Sequence, residues 1–225
     1  MIMGQIHKGV KRGRGRPPIR SDDATRRLII DAARQEFQAN GYSGTCVEAV
    51  AQRAGVSTKT LYRLIPTKAD LFTSVVSDRI GRFMLEIDDE AVGGLDLAAA
   101  LEHILTALGK LALDEEVIAI NRLVIAESDR FPEIAAAFYE KALVQTNRAI
   151  ESWLRRKCKC GLIRLNEPHA ASGMLWGMMV MEPQRAAMLG QRAVPDPEEI
   201  ANRARDVSQI FLNGCQLIEP SLALD

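Results

Sequence analysis

Residues 51–64 read AQRAGVSTKTLYRL, and the fold turns on them. Val47, Val50, Ala51 and Ala54 recur at the three- and four-residue spacing of an amphipathic helix, and Leu61 and Leu64 do the same after the glycine. Between the two patterns stand Ala54, Gly55, Val56 and Ser57. They supply a small residue, a glycine able to take a turn, an apolar plug and a hydroxyl that can cap the next helix. Two short helices joined this way form either a helix-turn-helix or an ordinary corner in a helical bundle. The second helix weighs towards the first reading. With Leu61 and Leu64 inward, Thr58, Lys59, Thr60 and Arg63 face solvent, offering short polar groups to base edges and cations to phosphates.

Helix signals continue on both sides. Ser21 before Asp22 and Asp23 is a helix start with its acids at the positive end of the dipole. Leu28, Ile29, Ala32, Ala33 and Phe37 form an inner face, and Asn40-Gly41 ends that helix. Thr45-Cys46-Val47-Glu48 has the T-x-x-E form of a capping box for the second helix. Ser57 caps a short third helix, Pro66 ends it, and Thr67-Lys68-Ala69-Asp70 opens a long fourth. Further on, Asp96 precedes Leu97, Leu101, Ile104, Leu105, Leu108 and Leu111, and another apolar segment spans 117–126. Phe131-Pro132-Glu133 starts a long helix with proline in its first turn. Pro168 begins a Met-rich helix, and Asp196-Pro197-Glu198-Glu199 caps the last. The expected fold is all-α with about nine helices. It divides into a basic arm at 1–20, expected to be disordered without DNA, a three-helix helix-turn-helix domain at 21–72 and a larger helical bundle at 73–225.

Charge divides the chain in the same place. Residues 1–72 carry 13 Lys/Arg against 6 Asp/Glu, and residues 73–225 carry 16 against 23. A basic first third joined to an acidic remainder points to a polyanion-binding module attached to a second function. The four cysteines show no disulfide framework, and Cys158-x-Cys160 lacks further ligands at zinc spacing, so neither metal nor cofactor is expected. The longest apolar run, MLWGMMVM at 174–181, is too short to span a bilayer. With no secretory signal, the expectation is a cytoplasmic protein.

The run Gly41 to Phe72, GYSGTCVEAVAQRAGVSTKTLYRLIPTKADLF, resembles the DNA-binding domain of the TetR family of bacterial regulators. It carries that family's Gly-Tyr, the threonine before helix two, the A-x-x-A-G-V-S turn, the Leu-Tyr of the recognition helix, and then Lys and Leu-Phe. It departs at Ile65, where the family usually has phenylalanine. The stretch RFPEIAAAFYE at 130–140 also resembles one subgroup. The resemblance implies a homodimeric transcriptional regulator, most often a repressor, that leaves a palindromic operator when a small molecule binds its larger domain. It implies that Thr45 and Ser57 cap helices and offer hydroxyls to phosphate. Thr58, Lys59 and Thr60, with Arg63 beside them, would lie at the major groove, and Tyr62 and Lys68 on the backbone.

Residues 11–20 read KRGRGRPPIR. Two prolines hold this stretch extended, two glycines keep it slim, and it contains no acid. It resembles an AT-hook. Arg14, Gly15, Arg16 and Pro17 would follow an A·T-rich minor groove, with Lys11, Arg12 and Arg20 on phosphates, while the recognition helix occupies the adjacent major groove. For dimerisation, Ala170, Gly173, Gly177 and Met181 offer one face, and Ile200, Val207, Ile210, Phe211 and Leu217 another. For a mostly apolar effector, the candidate lining is Phe83, Met84, Leu105, Leu108, Phe138, Tyr139, Trp153, Met174 and Met178.

Two other functions compete. An architectural protein would use the arm for A·T-rich DNA with little base readout. An enzyme would need a motif such as G-x-S-x-G, H-E-x-x-H or a phosphate loop, and the chain has none, so no enzymatic activity is expected.

Overall fold

The structure, a computed structural model, describes residues 20–215. Among them every regular element is helical: α1 (Asp22–Gly44), α2 (Val47–Arg53), α3 (Thr58–Leu64), α4 (Lys68–Glu86), α5 (Asp89–Val92), α6 (Leu97–Ala112) and α7 (Glu115–Glu127). Next come α8 (Pro132–Phe138) and α9 (Gln145–Lys159), joined without a break by a π-helical segment, Tyr139–Val144. In the same way α10 (Pro168–Trp176) runs through a second π segment, Gly177–Met181, into α11 (Glu182–Met188). The last helix is α12 (Pro197–Cys215). Taking each π-joined pair as one rod and setting aside the single turn α5, the described residues form nine helices. None is long and apolar enough to cross a membrane.

The helix starts follow local capping chemistry. Ser21, Ser57, Thr67 and Asp96 each accept a hydrogen bond from the amide three residues on, and Asp196 does the same for Glu199 at 2.8 Å. Thr45 is a correction. It does not cap α2, which starts from Cys46 without a side-chain cap. Its hydroxyl instead donates to the Gly41 carbonyl at 2.6 Å, closing the end of α1. Gly41 sits at φ +69°, in the left-handed region, and this turn brings the two groups together. Glu48 accepts from the Cys46 thiol instead. Leu28 is also corrected: it is exposed, while Ile29, Ala32, Ala33 and Phe37 are buried.

Two apolar clusters hold the chain. In the first, Ile29, Val50, Leu61, Ile65, Leu71 and Phe72 pack with Val124, Ile134 and Phe138 from later helices. Ile65 is thus the core plug its position requires. In the second, Leu101, Ile104, Leu105 and Leu108 of α6 lie among Trp153, Leu175, Met179 and Ala204. Helix α4 serves both, giving Leu71 to Ile80 to the first and Phe83 to the second, and it crosses residue 72 without interruption. Each such aliphatic or aromatic side chain contributes about 1.5–3 kcal/mol by leaving water.

The tightest approach is at Gly109 on α6. A Cβ there would lie 2.6 Å from Met179 Cε and 2.7 Å from Ile200 Cγ2. Methionine can yield, but a β-branched isoleucine in a helix cannot rotate away. Gly109→Ala is therefore expected to destabilise the protein by about 1–3 kcal/mol less the ~1 kcal/mol gained in helix propensity. A thermal melt showing a raised midpoint would contradict this packing.

Candidate functional site

Helix α3 is short because Ser57 starts it and the extended Ile65, before Pro66, stops it. Its inner residues Leu61 and Leu64 are buried, while Thr58, Lys59 and Arg63 are exposed and Thr60 is partly so. Ser57 Oγ and Thr60 Oγ1 lie 2.9 Å apart, so the two hydroxyls act as a pair. Tyr62 is 43% exposed, which sets it on the surface and outside the core. Arg63 meets Asp22 in a two-pronged pair at 2.7 and 2.8 Å. That bond holds the Asp22 carboxyl below its usual value and ties the recognition helix to the first turn of α1. Thr45 differs from the others: it is 4% exposed with its hydroxyl engaged inside the fold, which removes it from the candidate phosphate contacts. Lys11, Arg12, Arg14, Gly15, Arg16 and Pro17 lie outside the described residues.

Lys68 opens α4 beside an aromatic corner. Its Nζ stands 4.8 Å from the Tyr42 ring centre and donates to the Ser43 carbonyl at 3.3 Å. Burial lowers its ammonium from the ordinary lysine value, against the pull of Glu127 and Cys46. Tyr42 stacks on Phe37 and meets Phe72 and Phe131 edge to face. Burial, then Glu133, then Glu127 push its hydroxyl up to about 12, so it stays neutral. Glu127, the last residue of α7, closes the corner by accepting from the amides of Tyr42 at 2.9 Å and Ser43 at 3.0 Å. Gly41 makes room for it, since a Cβ there would lie 3.0 Å from Glu127 Oε1.

The other end of α7 borders a partly open cavity of about 40 Å³. Val76, Arg79 and Ile80 of α4 line it, with Leu111, Ala112, Val117, Ile120, Asn121, Phe138, Ala142, Leu143, Thr146, Trp176 and Gln184. Both π segments adjoin it: Ala142 and Leu143 belong to the first, and Trp176 immediately precedes the second. Such turns widen the helical ladder and recur at functional sites. Beyond the wall, Arg79 bonds Asp114 and Glu116, and Arg34 of α1 reaches Asp78 at 3.5 Å and Glu116 at 4.0 Å. A chain of charges therefore leads from the cavity to the first helix.

The residues expected to line an effector site lie in several places. Only Phe138 borders this cavity. Phe83, Leu105, Leu108 and Trp153 are buried one layer deeper, and Met84 and Met178 pack at the edge of that core. Tyr139 is 58% exposed and lines an outer groove with Glu151 and His169, and Met174 is 64% exposed. The proposed association stripes also separate. Ile200 and Val207 are buried within the chain against α6, and Leu217 lies outside the described residues. Ala170, Gly173, Met174 and Met181 are exposed, and nothing lies within 4 Å of a Cβ built on Gly173 or Gly177.

Sequence reasoning missed Glu127, the Asp22–Arg63 pair and the Arg34–Glu116–Arg79 chain. No local signal carries them, since Glu127 lies 85 residues from Tyr42 in sequence.

Known proteins share this arrangement. Residues 29–75 match the profile of bacterial regulatory proteins of the TetR family, and residues 99–214 match that of the AefR-like transcriptional repressor, C-terminal domain. The fatty acid metabolism regulator protein of Bacillus subtilis is 28% identical over 105 residues, 45% of this chain and 53% of that protein. The transcriptional repressor KstR of Mycobacterium tuberculosis is 28% identical over 146 residues, 65% of this chain and 64% of its own length. The chain thus spans between about half and two thirds of these curated relatives. A TetR-family regulator structure from Mesorhizobium loti superposes with a TM-score of 0.75 at 27% identity, covering 87% of this chain and 98% of that one. With a helix-turn-helix closed by the Gly41–Phe72 motif, and a profile match over more than half its length, the chain belongs to the TetR family of bacterial transcriptional regulators.

Proposed function

We propose that this chain is a DNA-binding transcriptional repressor that holds a two-fold operator as a homodimer and releases it when a small, mostly apolar effector fills the cavity. Residues 21–72 would read DNA, residues 73–225 would bind effector and dimerise, and the arm at 1–20 would follow an A·T-rich minor groove. Thr58, Lys59 and Thr60 of α3 would lie at the major-groove edge, with Ser57, Tyr62, Arg63 and Lys68 on the backbone. The exposed small-residue face of α10, with Met174 and Met181, would meet its copy in the partner.

One observation carries the coupling. Helix α7 lines the cavity with Val117, Ile120 and Asn121 and grips the reading head with Glu127. A helix moves as a rod, so a ligand that shifts one end displaces the other. The ligand must bind one spacing of the two heads better than the other, because equal affinity shifts nothing.

Selection of tight binders from random duplex DNA by the full-length protein tests the reading. The expected product is a palindrome with A·T-rich flanks. Unpatterned A·T-rich DNA would instead mean an architectural protein. Two substitutions probe the parts. Asp22→Asn frees Arg63, so affinity should rise at all sites and the plot of log affinity against log salt should steepen by about one unit. An unchanged slope would place Arg63 off the phosphates. Glu127→Ala leaves two amides without their acceptor and should cost about 1–3 kcal/mol of stability. Hydrogen exchange at Tyr42 and Ser43 should accelerate, and unaltered exchange there would remove Glu127 from the coupling.

A further inference from the structure

The cavity wall is apolar apart from a few side chains, and two of these hold hydrogen-bonding atoms without a partner. Thr146 is 1% exposed, and its Oγ1 bonds to nothing among the described residues. It follows the first π segment by two positions and lines the cavity together with Arg79. Arg79 gives Nη2 to Asp114 and Glu116, but its Nε–H has no acceptor. A buried hydroxyl or N–H left unbonded carries a desolvation cost that a bonded one does not, so such atoms in a cavity wall mark where a ligand's polar atom belongs. The nearby amides are partly used already: Asn121 donates to the Val117 carbonyl and Gln184 to the Ala112 carbonyl.

Charge decides what kind of polar atom fits. Two carboxylates already match the single cation in the wall, and Glu116 is also shared with Arg34. An anionic group entering here would meet Asp114 and Glu116 as like charges even where it took only the free Arg79 Nε–H. An uncharged oxygen meets neither difficulty, since it can accept from Arg79 Nε–H or exchange a bond with the Thr146 hydroxyl while the ion pairs stay in place. Apolar side chains, Phe138 and Trp176 among them, surround the remainder of such a molecule once the cavity, about 40 Å³ as it stands, widens to admit it.

We propose that the cavity takes an uncharged, largely apolar ligand bearing a hydroxyl or carbonyl oxygen, with Thr146 as the handle for that oxygen and Arg79 Nε–H as the second donor. This rests on the effector reading above and narrows it: a free carboxylate of the same size is rejected.

Calorimetric titration of the full-length protein at neutral pH with naphthalene, β-naphthol and β-naphthoate tests the proposal on one ring system. β-Naphthol should bind about tenfold more tightly than naphthalene, the scale of one net hydrogen bond, and β-naphthoate more weakly than either. Thr146→Val keeps the shape and removes the hydroxyl. It should erase the advantage of β-naphthol while leaving naphthalene unchanged, with no loss in melting temperature. β-Naphthoate binding as tightly as β-naphthol, or a β-naphthol advantage that survives Thr146→Val, overturns the handle and leaves an apolar cavity standing. Val117→Trp fills the space and should abolish binding of both uncharged probes. Leu143→Trp, at a more exposed wall position, serves if that variant does not fold. Binding that persists in the filled variant, or no binding of any probe to the unsubstituted protein, overturns the cavity reading and the ligand class with it.

Discussion

A carboxylate at the end of one helix holds the corner of another. Glu127 accepts from the amides of Tyr42 and Ser43, two donors that Gly41's left-handed turn leaves outside the α1 ladder. At a corner that is only part-buried, these two charge-assisted bonds are together worth about 1–3 kcal/mol, and the aromatic cluster of Phe37, Tyr42, Phe72 and Phe131 closes over them. Without this joint the helix-turn-helix would rest on the bundle mainly through the sides of α4. With it, the reading head is fixed at two points, one of which sits on the helix that lines the cavity with Val117, Ile120 and Asn121.

The helix-turn-helix was legible in the sequence because everything that makes it is local. Ser57, Thr67 and Asp96 cap at a spacing of three residues, and Leu61 and Leu64 face inward because the period requires it. The same locality misled at Thr45. Its T-x-x-E spacing matches a capping box, but Gly41 brings a carbonyl within 2.6 Å of the hydroxyl, and the nearer partner takes it. The charge pattern suggested a division into a reading head and a bundle, yet α4 passes through that boundary and supplies both cores.

The cavity was not legible. Hydrophobic periodicity identifies residues that face inward, and inward residues such as Leu105, Leu108 and Trp153 are the ones that pack without leaving space. A cavity is lined by residues at the edges of two cores, where the pattern weakens and polar side chains such as Arg79, Asn121 and Thr146 are tolerated. The π segments add to the difficulty, because one extra residue in a turn shifts the helical phase without any mark in composition. In the second rod the π turn directly precedes Glu182-Pro183, so a proline lacking an N–H is carried where the ladder is already wide.

That phase shift has its own consequence in the first rod. Ahead of the π turn, Ile134 and Phe138 pack into the core of the reading head; beyond it, Ile150, Trp153 and Leu154 pack into the core of the bundle. A uniform α-helix advances about 100° per residue, so the surplus residue rotates everything downstream by that angle relative to everything upstream. The rod works as a mechanical adaptor whose essential property is a residue count. Removing one residue between 139 and 144 other than Ala142 would preserve every side chain that either core uses, yet turn one core's contacts away from their partners. Among related chains, insertions and deletions in this rod would then be harder to accommodate than substitutions.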